Sequence, residues 1–359
     1  MKRRHLLAAP ALFWPASGGT LWPASGGMLW PAAALAQQRR QAPPAEPPTP
    51  RVIPWHGVNL VQAEQAPLGG ADARRSMRLL AALGADSVAL TPYLWQPAAG
   101  SADVVRGSDT PDEALLPGIR QARELGLKVL VKPHLWVNTA RPGEARMADD
   151  AGWRRWFAAY TTALVAMARG AQEAGAEALS IGTAIRAATL RPEWREVIVA
   201  VRAVFRGRLL YVAADIADAE AFPHWALLDA VGLRLYAPLG ADDRGAEWLP
   251  VMNRETERLD RLEQRARKKI WVAELGIRSA AGAAANPSLS AEDRASTVDQ
   301  RVQAEALARW LRRLDRPSVE AVLLWRWFTD PARGGSTDTD YTPQGKLAEG
   351  VLLHAWLAR

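Results

Sequence analysis

The sequence contains no cysteine and has few residues of two of the three aromatic types. Without cysteine the chain has no disulfide framework, no thiolate metal site and no cysteine nucleophile. Tryptophan is abundant instead, with 16 residues against five tyrosines and five phenylalanines. An indole is a flat apolar ring with one polar N–H, so it suits both the faces of sugars and ordinary cores.

Long hydrophobic runs and a strong charge imbalance are also absent. Proline and glycine interrupt the apolar stretch near the amino terminus before it reaches the ~18 residues that a membrane span needs. The formal net charge is +7, and Lys2, Arg3 and Arg4 supply part of it. The other lysines and arginines are interleaved with acidic residues on predicted helices, which is typical of solvated helix faces. We therefore predict neither a nucleic-acid partner nor a membrane span in the mature chain.

Residues 1–36 have the features of an export signal. A basic start precedes an alanine-rich apolar stretch, and Ala34-Leu35-Ala36 is a small-x-small cleavage site. The Arg3-Arg4 pair also allows an incomplete twin-arginine signal, so two export routes remain open. Residues 37–51 form a Pro-rich linker, and residues 52–359 form the folded domain. These features predict a periplasmic or secreted protein.

From Val52 onward the sequence alternates between short apolar runs and longer amphipathic stretches. Eight strand–helix units of this kind predict an α/β fold, a closed (β/α)8 TIM barrel. A doubly wound open sheet is the alternative, but the chain has no Gly-rich phosphate loop after its first strand. The predicted pairs are Trp55–Leu60 with Ala71–Leu83, Ser87–Thr91 with Pro111–Leu125, Lys128–Pro133 with Asp150–Ala174, Ala178–Gly182 with Pro192–Phe205, Leu209–Ala213 with Phe222–Leu228, Ala230–Tyr236 with Trp248–Ala266, Lys269–Glu274 with Glu292–Leu314, and Val319–Trp327 with Gly345–Leu357.

One apolar strand ends in a carboxylate, Glu274. A glutamate in such a strand is costly unless it is paired or lies at an open end, and catalytic residues of barrels lie at the carboxyl ends of strands. An ion pair without a catalytic role is the alternative. The other predicted strand ends carry aromatic and hydrogen-bonding residues, without clustered metal ligands or a Ser–His–Asp order. We therefore predict no metal and no cofactor.

Several short runs stand out by their order and spacing along the chain. They are Lys132-Pro133-His134, Ile181-Gly182-Thr183, Trp194 with Val201-Arg202, Leu210-Tyr211-Val212-Ala213-Ala214, Leu228-Asp229-Ala230-Val231-Gly232, Tyr236, Ala273-Glu274-Leu275-Gly276, Trp325-Arg326-Trp327 and Tyr341-Thr342-Pro343-Gln344-Gly345-Lys346. Together these runs resemble glycoside hydrolase family 113, and the resemblance extends from Trp55 to Lys346.

The resemblance implies a retaining barrel glycosidase that acts on β-mannan-type chains, with catalytic glutamates after strands 4 and 7. By position, Glu274 matches the nucleophile and Tyr236 the tyrosine that hydrogen-bonds it. The expected substrate-binding residues are His134, Lys132, Trp325, Trp327, Tyr93 and Asp215, with Trp325 or Trp327 as the sugar platform. The implied partner is a polysaccharide or oligosaccharide.

The chain departs from the family at strand 4, where Ala184 follows Ile-Gly-Thr in place of the acid/base glutamate. Retaining hydrolysis needs two carboxyl groups, and general acid–base catalysis contributes roughly 10²–10⁴-fold. Asp215 is the nearest substitute by strand order. The remaining candidates are Asp242, Asp243, Asp330, Asp338 and Asp340.

Two functional hypotheses follow. The first is an exported glycoside hydrolase-like protein whose hydrolysis is weak or lost without an acid/base residue. The second is a catalytically silent TIM-barrel module that binds carbohydrate or protein.

Overall fold

The structure is a computed structural model that describes residues 53–290, 293 and 295–357. The predicted signal and linker, residues 1–36 and 37–51, lie outside the described residues. The strands are β1 (Trp55–Val61), β2 (Ser87–Leu90), β3 (Tyr93–Gln96), β4 (Val105–Arg106), β5 (Lys128–Val131), β6 (His134–Val137), β7 (Ala178–Thr183), β8 (Arg208–Ala213), β9 (Ala230–Leu235), β10 (Ile270–Leu275) and β11 (Val319–Phe328). The helices are α1 (Ala71–Ala82), α2 (Asp112–Glu124), α3 (Asp150–Ala174), α4 (Trp194–Arg202), α5 (Ile216–Ala221), α6 (Trp248–Ala266), α7 (Gln300–Leu314) and α8 (Leu347–Leu357).

Eight parallel strands close into a barrel in the order β1-β11-β10-β9-β8-β7-β5-β2. The predicted (β/α)8 barrel is therefore confirmed. By chain order β5 is the third barrel strand, β7 the fourth and β10 the seventh. Most barrel strands are apolar runs buried on both faces, as expected when helices cover the outside of a parallel sheet.

Two predicted helices differ from the structure. The fifth helix was expected at Phe222–Leu228, but α5 precedes that segment because Asp215 caps it, accepting a hydrogen bond from Asp218 N at 2.8 Å. The seventh was expected from Glu292, but α7 begins at Gln300, where Asp299 accepts from two backbone N–H groups. In both cases the aspartate satisfies orphan donors of the first turn and so sets the start of the helix.

Three short strands form a second sheet that the sequence analysis did not predict. This side sheet, in the order β4-β3-β6, follows directly after barrel strands β2 and β5. Strands β3 and β6 pair in parallel, with Tyr93 opposite His134 and Trp95 opposite Trp136. The side sheet thus extends the wall of the barrel at its carboxyl end.

Two indoles fill the amino-terminal end of the barrel interior. The ring centroids of Trp55 and Trp271 lie 4.6 Å apart. The indole N–H of Trp271 donates to Glu320 Oε2 at 2.8 Å, and Arg208 pairs with the same oxygen at 2.6 Å. The two indoles pack this end of the barrel, whereas the active sites of barrel enzymes lie at the opposite, carboxyl end.

Candidate active site

A β-bulge turns Glu274 into the barrel. Regular alternation along β10 would direct Ala273 inward and Glu274 outward. The register of pairing between β10 and β9 shifts between Val272 and Glu274. Leu275 packs in the hydrophobic core between the barrel and its helices. One extra residue in a strand re-aims the side chains that follow it. As a result Ala273 and Glu274 both face the interior.

Asn59, on strand β1, stabilises this bulge through its side-chain amide. Its amide donates to the carbonyl of Ala273 at 2.9 Å and, more weakly, to the carbonyl of Leu324 at 3.2 Å. A bulge leaves backbone groups outside the regular ladder, and a buried carbonyl needs a donor. Asn59 provides one and so stabilises the backbone that presents Glu274.

The carboxylate of Glu274 is buried and is held by two polar side chains. Its Oε1 forms an ion pair with Lys132 Nζ, whose side chain is completely buried. Its Oε2 accepts a hydrogen bond from the Tyr236 hydroxyl at 3.0 Å. Both carboxylate oxygens therefore have a donor from a residue that directly follows another barrel strand, β5 or β9.

These contacts keep Glu274 ionised. Burial by itself would raise the pKa of the Glu274 carboxyl, but the charge of Lys132, with a smaller contribution from Arg234, holds the pKa well below its usual range. Burial also lowers the pKa of Lys132 to about 8, although the charge of Glu274 acts in the opposite direction. Near neutral pH the pair is thus a carboxylate with an ammonium group.

His134 is neutral in the same surroundings. Burial, followed by the charge of Lys132, lowers the pKa of His134 to about 4. Its Nε2 lies 2.7 Å from Lys132 Nζ and 3.3 Å from Glu274 Oε1. Because an ammonium group can only donate, Nε2 accepts from Lys132 and the ring proton lies on Nδ1.

Trp325 covers one face of this group. Its ring stacks on His134, with 5.6 Å between centroids and 14° between planes. Lys132 Nζ lies 5.2 Å from the centre of the Trp325 ring. Tyr93 meets the imidazole of His134 edge-on at 5.7 Å. We call Glu274, Lys132, His134, Tyr236 and Trp325 the Glu274 cluster.

Trp327 lies outside the Glu274 cluster, although it was an alternative sugar platform. It is buried, and its indole donates to Ser76 of α1 at 2.7 Å. Strand β11 gains one residue relative to β1 in this region, since Val58 pairs with Leu324 but Leu60 pairs with Trp327. The extra residue breaks the two-residue alternation, so Trp325 and Trp327 face opposite sides of the strand.

Asp215 also has a different environment from the one expected. Its carboxylate caps α5 and pairs with Arg186 at 2.7 Å. Burial acts to raise the pKa of Asp215, but the hydrogen bond and charge of Arg186, together with backbone N–H donors at the start of α5, outweigh it and the pKa is lowered. Such a carboxyl is ionised at neutral pH and has no proton to donate.

The other candidate carboxylates are bound in loops. Asp338 pairs with Lys346 at 2.6 Å, and Asp340 pairs with Arg326 at 2.6 Å. The rest accept backbone hydrogen bonds: Asp242 from Arg244, Asp243 from Gly282 and Ala284, and Asp330 from Ala332. Each of these contacts anchors a loop.

Ala184 directly follows β7 and has an uncommon backbone conformation. Its φ of 54° lies in the left-handed region, where a side chain costs roughly 1–2 kcal/mol. Its N–H donates to the carbonyl of Val212 at 2.7 Å, so the strained residue is held by β8. Strained non-glycine residues cluster at functional sites.

Arg234 is a further charged neighbour that the sequence analysis missed. Its guanidinium lies 6.0 Å from the ring of Tyr236, and its charge lowers the pKa of Glu274. On β9 it is two residues before Tyr236, so the strand periodicity could have indicated it.

The buried, ionised carboxylate and the hydroxyl, amine and aromatic groups around it lie at the carboxyl ends of the barrel strands, which is where barrel enzymes place their active sites. The chain belongs to glycoside hydrolase family 113, whose model matches residues 61–346.

Solved structures of this family have the same fold. A GH113 β-1,4-mannanase described as a complex shares 24% identity and a TM-score of 0.74, over 84% of this chain and 98% of that one. A GH113 β-mannanase from Alicyclobacillus acidocaldarius in complex with ManMIm shares 25% identity and a TM-score of 0.71, with the same coverage. A β-glucuronidase from Ruminococcus gnavus is more distant, with 14% identity and a TM-score of 0.58 over 85% of this chain and 50% of that one. A comparison with curated proteins gives no match.

Among the described residues, no helix is both long enough and apolar enough to cross a membrane. Within the same residues, no three His, Asp or Glu side chains are grouped so that they could hold a metal ion.

Proposed function

We propose that this protein is exported and binds β-linked polysaccharide of the mannan type in the cleft at Glu274. In this proposal residues 1–36 are the signal, residues 37–51 are the linker, and the mature domain works in the periplasm or outside the cell. The family and the β-mannanase neighbours support the substrate class. The proposal of export rests on the sequence pattern alone, which leaves both export routes open.

We further propose that Glu274 is a nucleophile-type carboxylate. The observation that carries this proposal is its double support, an ion pair to Lys132 and a hydrogen bond from Tyr236. A carboxylate must be ionised to attack an anomeric carbon, and these donors favour the ionised form. Trp325 supplies an aromatic surface beside it for a sugar ring.

The acid/base residue is missing in this proposal, because Ala184 stands at the end of the fourth strand. The candidate replacements are engaged elsewhere, with Asp215 as a helix cap and Asp338 and Asp340 in ion pairs. Without a proton donor the leaving oxygen of an ordinary glycoside departs as an alkoxide, so hydrolysis is slow. An aryl leaving group needs no such proton.

The test compares the parent with Ala184→Glu on mannan-type oligosaccharides and on an aryl β-mannoside. Ala184→Glu should hydrolyse the oligosaccharides about 10²–10⁴-fold faster. In the parent, azide should accelerate aryl mannoside turnover and yield a glycosyl azide, because azide attacks the glycosyl–enzyme bond without a general base. Ala187→Glu is the matched control, since Ala187 is exposed three residues further along.

Two results would contradict the proposal. One is a parent that already cleaves oligosaccharides as fast as Ala184→Glu. The other is aryl mannoside turnover that persists in Glu274→Gln. A parent that binds oligosaccharides but turns over neither substrate would support the second function, a silent carbohydrate-binding barrel.

A further inference from the structure

The outward face of the side sheet is unusually apolar. Residues alternate between the two faces of a strand, and the inward positions of β3 and β6 are buried, as expected. On the outward face Trp136, Trp95 and Val105 form one row across the three strands, since Trp95 pairs with both Trp136 and Val105. Their exposed fractions are 44%, 36% and 50%. A solvated sheet face normally carries polar residues, so this row indicates a binding surface.

A cavity of about 520 Å³ lies over this row. That volume is within the roughly 300–1,000 Å³ of ligand pockets. The two indoles and Val105 contribute apolar surface, whereas Arg106 and Asp109 are among its polar lining residues. Arg106 is fixed in the wall, because it donates to the carbonyl of Tyr93 at 3.2 Å and pairs with Asp112 at 3.0 Å.

Tyr93 lies between the cavity and the Glu274 cluster and contacts both. Tyr93 lines the cavity, meets Trp136 edge-on at 6.0 Å, and meets His134 edge-on at 5.7 Å. Along each strand, Trp95 and Trp136 lie two residues beyond Tyr93 and His134, a step of about 6.6 Å. A ligand that leaves the cluster along the side sheet therefore meets the indoles next.

We propose that Trp95 and Trp136 form a distal sugar platform, which binds a β-linked oligosaccharide chain as it extends from the Glu274 cleft across the side sheet. The proposal rests on the proposed function, because it assigns the inner end of the chain to that cleft. A sugar has apolar C–H faces for the indoles and hydroxyl groups for Arg106 and Asp109. The platform makes the protein selective for long chains over short ones.

The test measures the affinity of the whole protein for β-1,4-linked manno-oligosaccharides, from the disaccharide to the hexasaccharide, by titration calorimetry. Parent affinity should increase with chain length. The double variant Trp95→Ala with Trp136→Ala should bind the hexasaccharide about tenfold or more weakly, with disaccharide affinity unchanged. Trp136→Phe, which keeps a flat ring, should retain much of the gain. Val199→Ala is the matched control, because Val199 is an exposed apolar side chain on α4.

The outcomes separate the two proposals. If the double variant is folded and binds the hexasaccharide as tightly as the parent, the platform is refuted while the cleft remains. If long chains bind through the two indoles and the disaccharide does not bind, the platform is supported and the cleft is contradicted. If the parent binds no oligosaccharide of any length, both proposals fail.

Discussion

The buried pair of Lys132 and Glu274 yields the most demanding prediction. Both side chains are almost completely inaccessible, with 0% and 2% exposure. Lys132→Met removes the cation but leaves a methylene chain of similar length, so Glu274 becomes a buried carboxylate without its counter-charge. Breaking a buried ion pair from one side costs about 3–5 kcal/mol. We expect the free energy of unfolding to fall by that amount near neutral pH.

The pH dependence of this loss has a definite sign. In the parent, the folded-state pKa of Glu274 is lowered. Its contribution to stability is therefore present above the unfolded pKa of about 4.3 and is lost as the pH falls below it. In Lys132→Met, the burial of Glu274 dominates and raises the folded-state pKa of its carboxyl. The variant therefore loses stability as the pH rises from the unfolded pKa through this raised pKa. The difference in the free energy of unfolding between the parent and Lys132→Met should thus become smaller as the pH falls.

Urea unfolding followed by tryptophan fluorescence, at neutral pH and near about pH 5, measures both quantities. Lys346→Met is the matched control, because Lys346 is equally buried but its partner Asp338 is 27% exposed and can regain water. Lys346→Met should lower the free energy of unfolding by less than Lys132→Met does. Its difference from the parent should not shrink in the same way at low pH. Lys132→Met combined with Glu274→Gln should recover part of the loss. A loss below about 1 kcal/mol that is independent of pH would refute the account of a desolvated pair.

Three further predictions concern single groups. Tyr236→Phe removes the hydrogen bond to the charged Glu274 and should reduce aryl mannoside turnover about 10–100-fold, as kcat measurements would show; an unchanged kcat would contradict it. Asp299→Ala removes the cap of α7 and should lower the free energy of unfolding by about 1 kcal/mol, whereas Glu247→Ala should have less effect because Glu247 makes no side-chain cap bond. Trp327→Phe should lower the free energy of unfolding in urea by about 1–2 kcal/mol and leave oligosaccharide affinity unchanged. Weakened oligosaccharide binding would contradict this and would indicate that Trp327 belongs to the sugar platform.

The succession of barrel strands and helices could be predicted because it depends on local signals. Apolar runs such as Ala178–Thr183 alternate with amphipathic stretches such as α6, which has the predicted bounds Trp248–Ala266. The position of Glu274 at the end of an apolar strand could be predicted for the same reason. Helix starts were less predictable, because a cap such as Asp299 acts only when its side chain turns back to the first turn.

The side sheet was not predictable from the same signals. Strands β3 and β6 are four residues each and follow prolines that end the preceding strands. Each is too short to be stable alone, and its pairing depends on a partner about forty residues away. Only the closed barrel brings Tyr93 beside His134.

The sequence by itself determined the class of fold, the family, and the residue types available at each strand end, because these depend on periodicity and on short motifs. The tertiary structure decided which of those side chains meet. Bulges in β10 and β11 turn Glu274 inward and separate Trp325 from Trp327, and an inserted residue changes facing in a way that strict alternation does not reveal. The ionisation of Glu274, Lys132 and His134 was likewise decided by burial and by mutual distance, which arise only when the barrel closes.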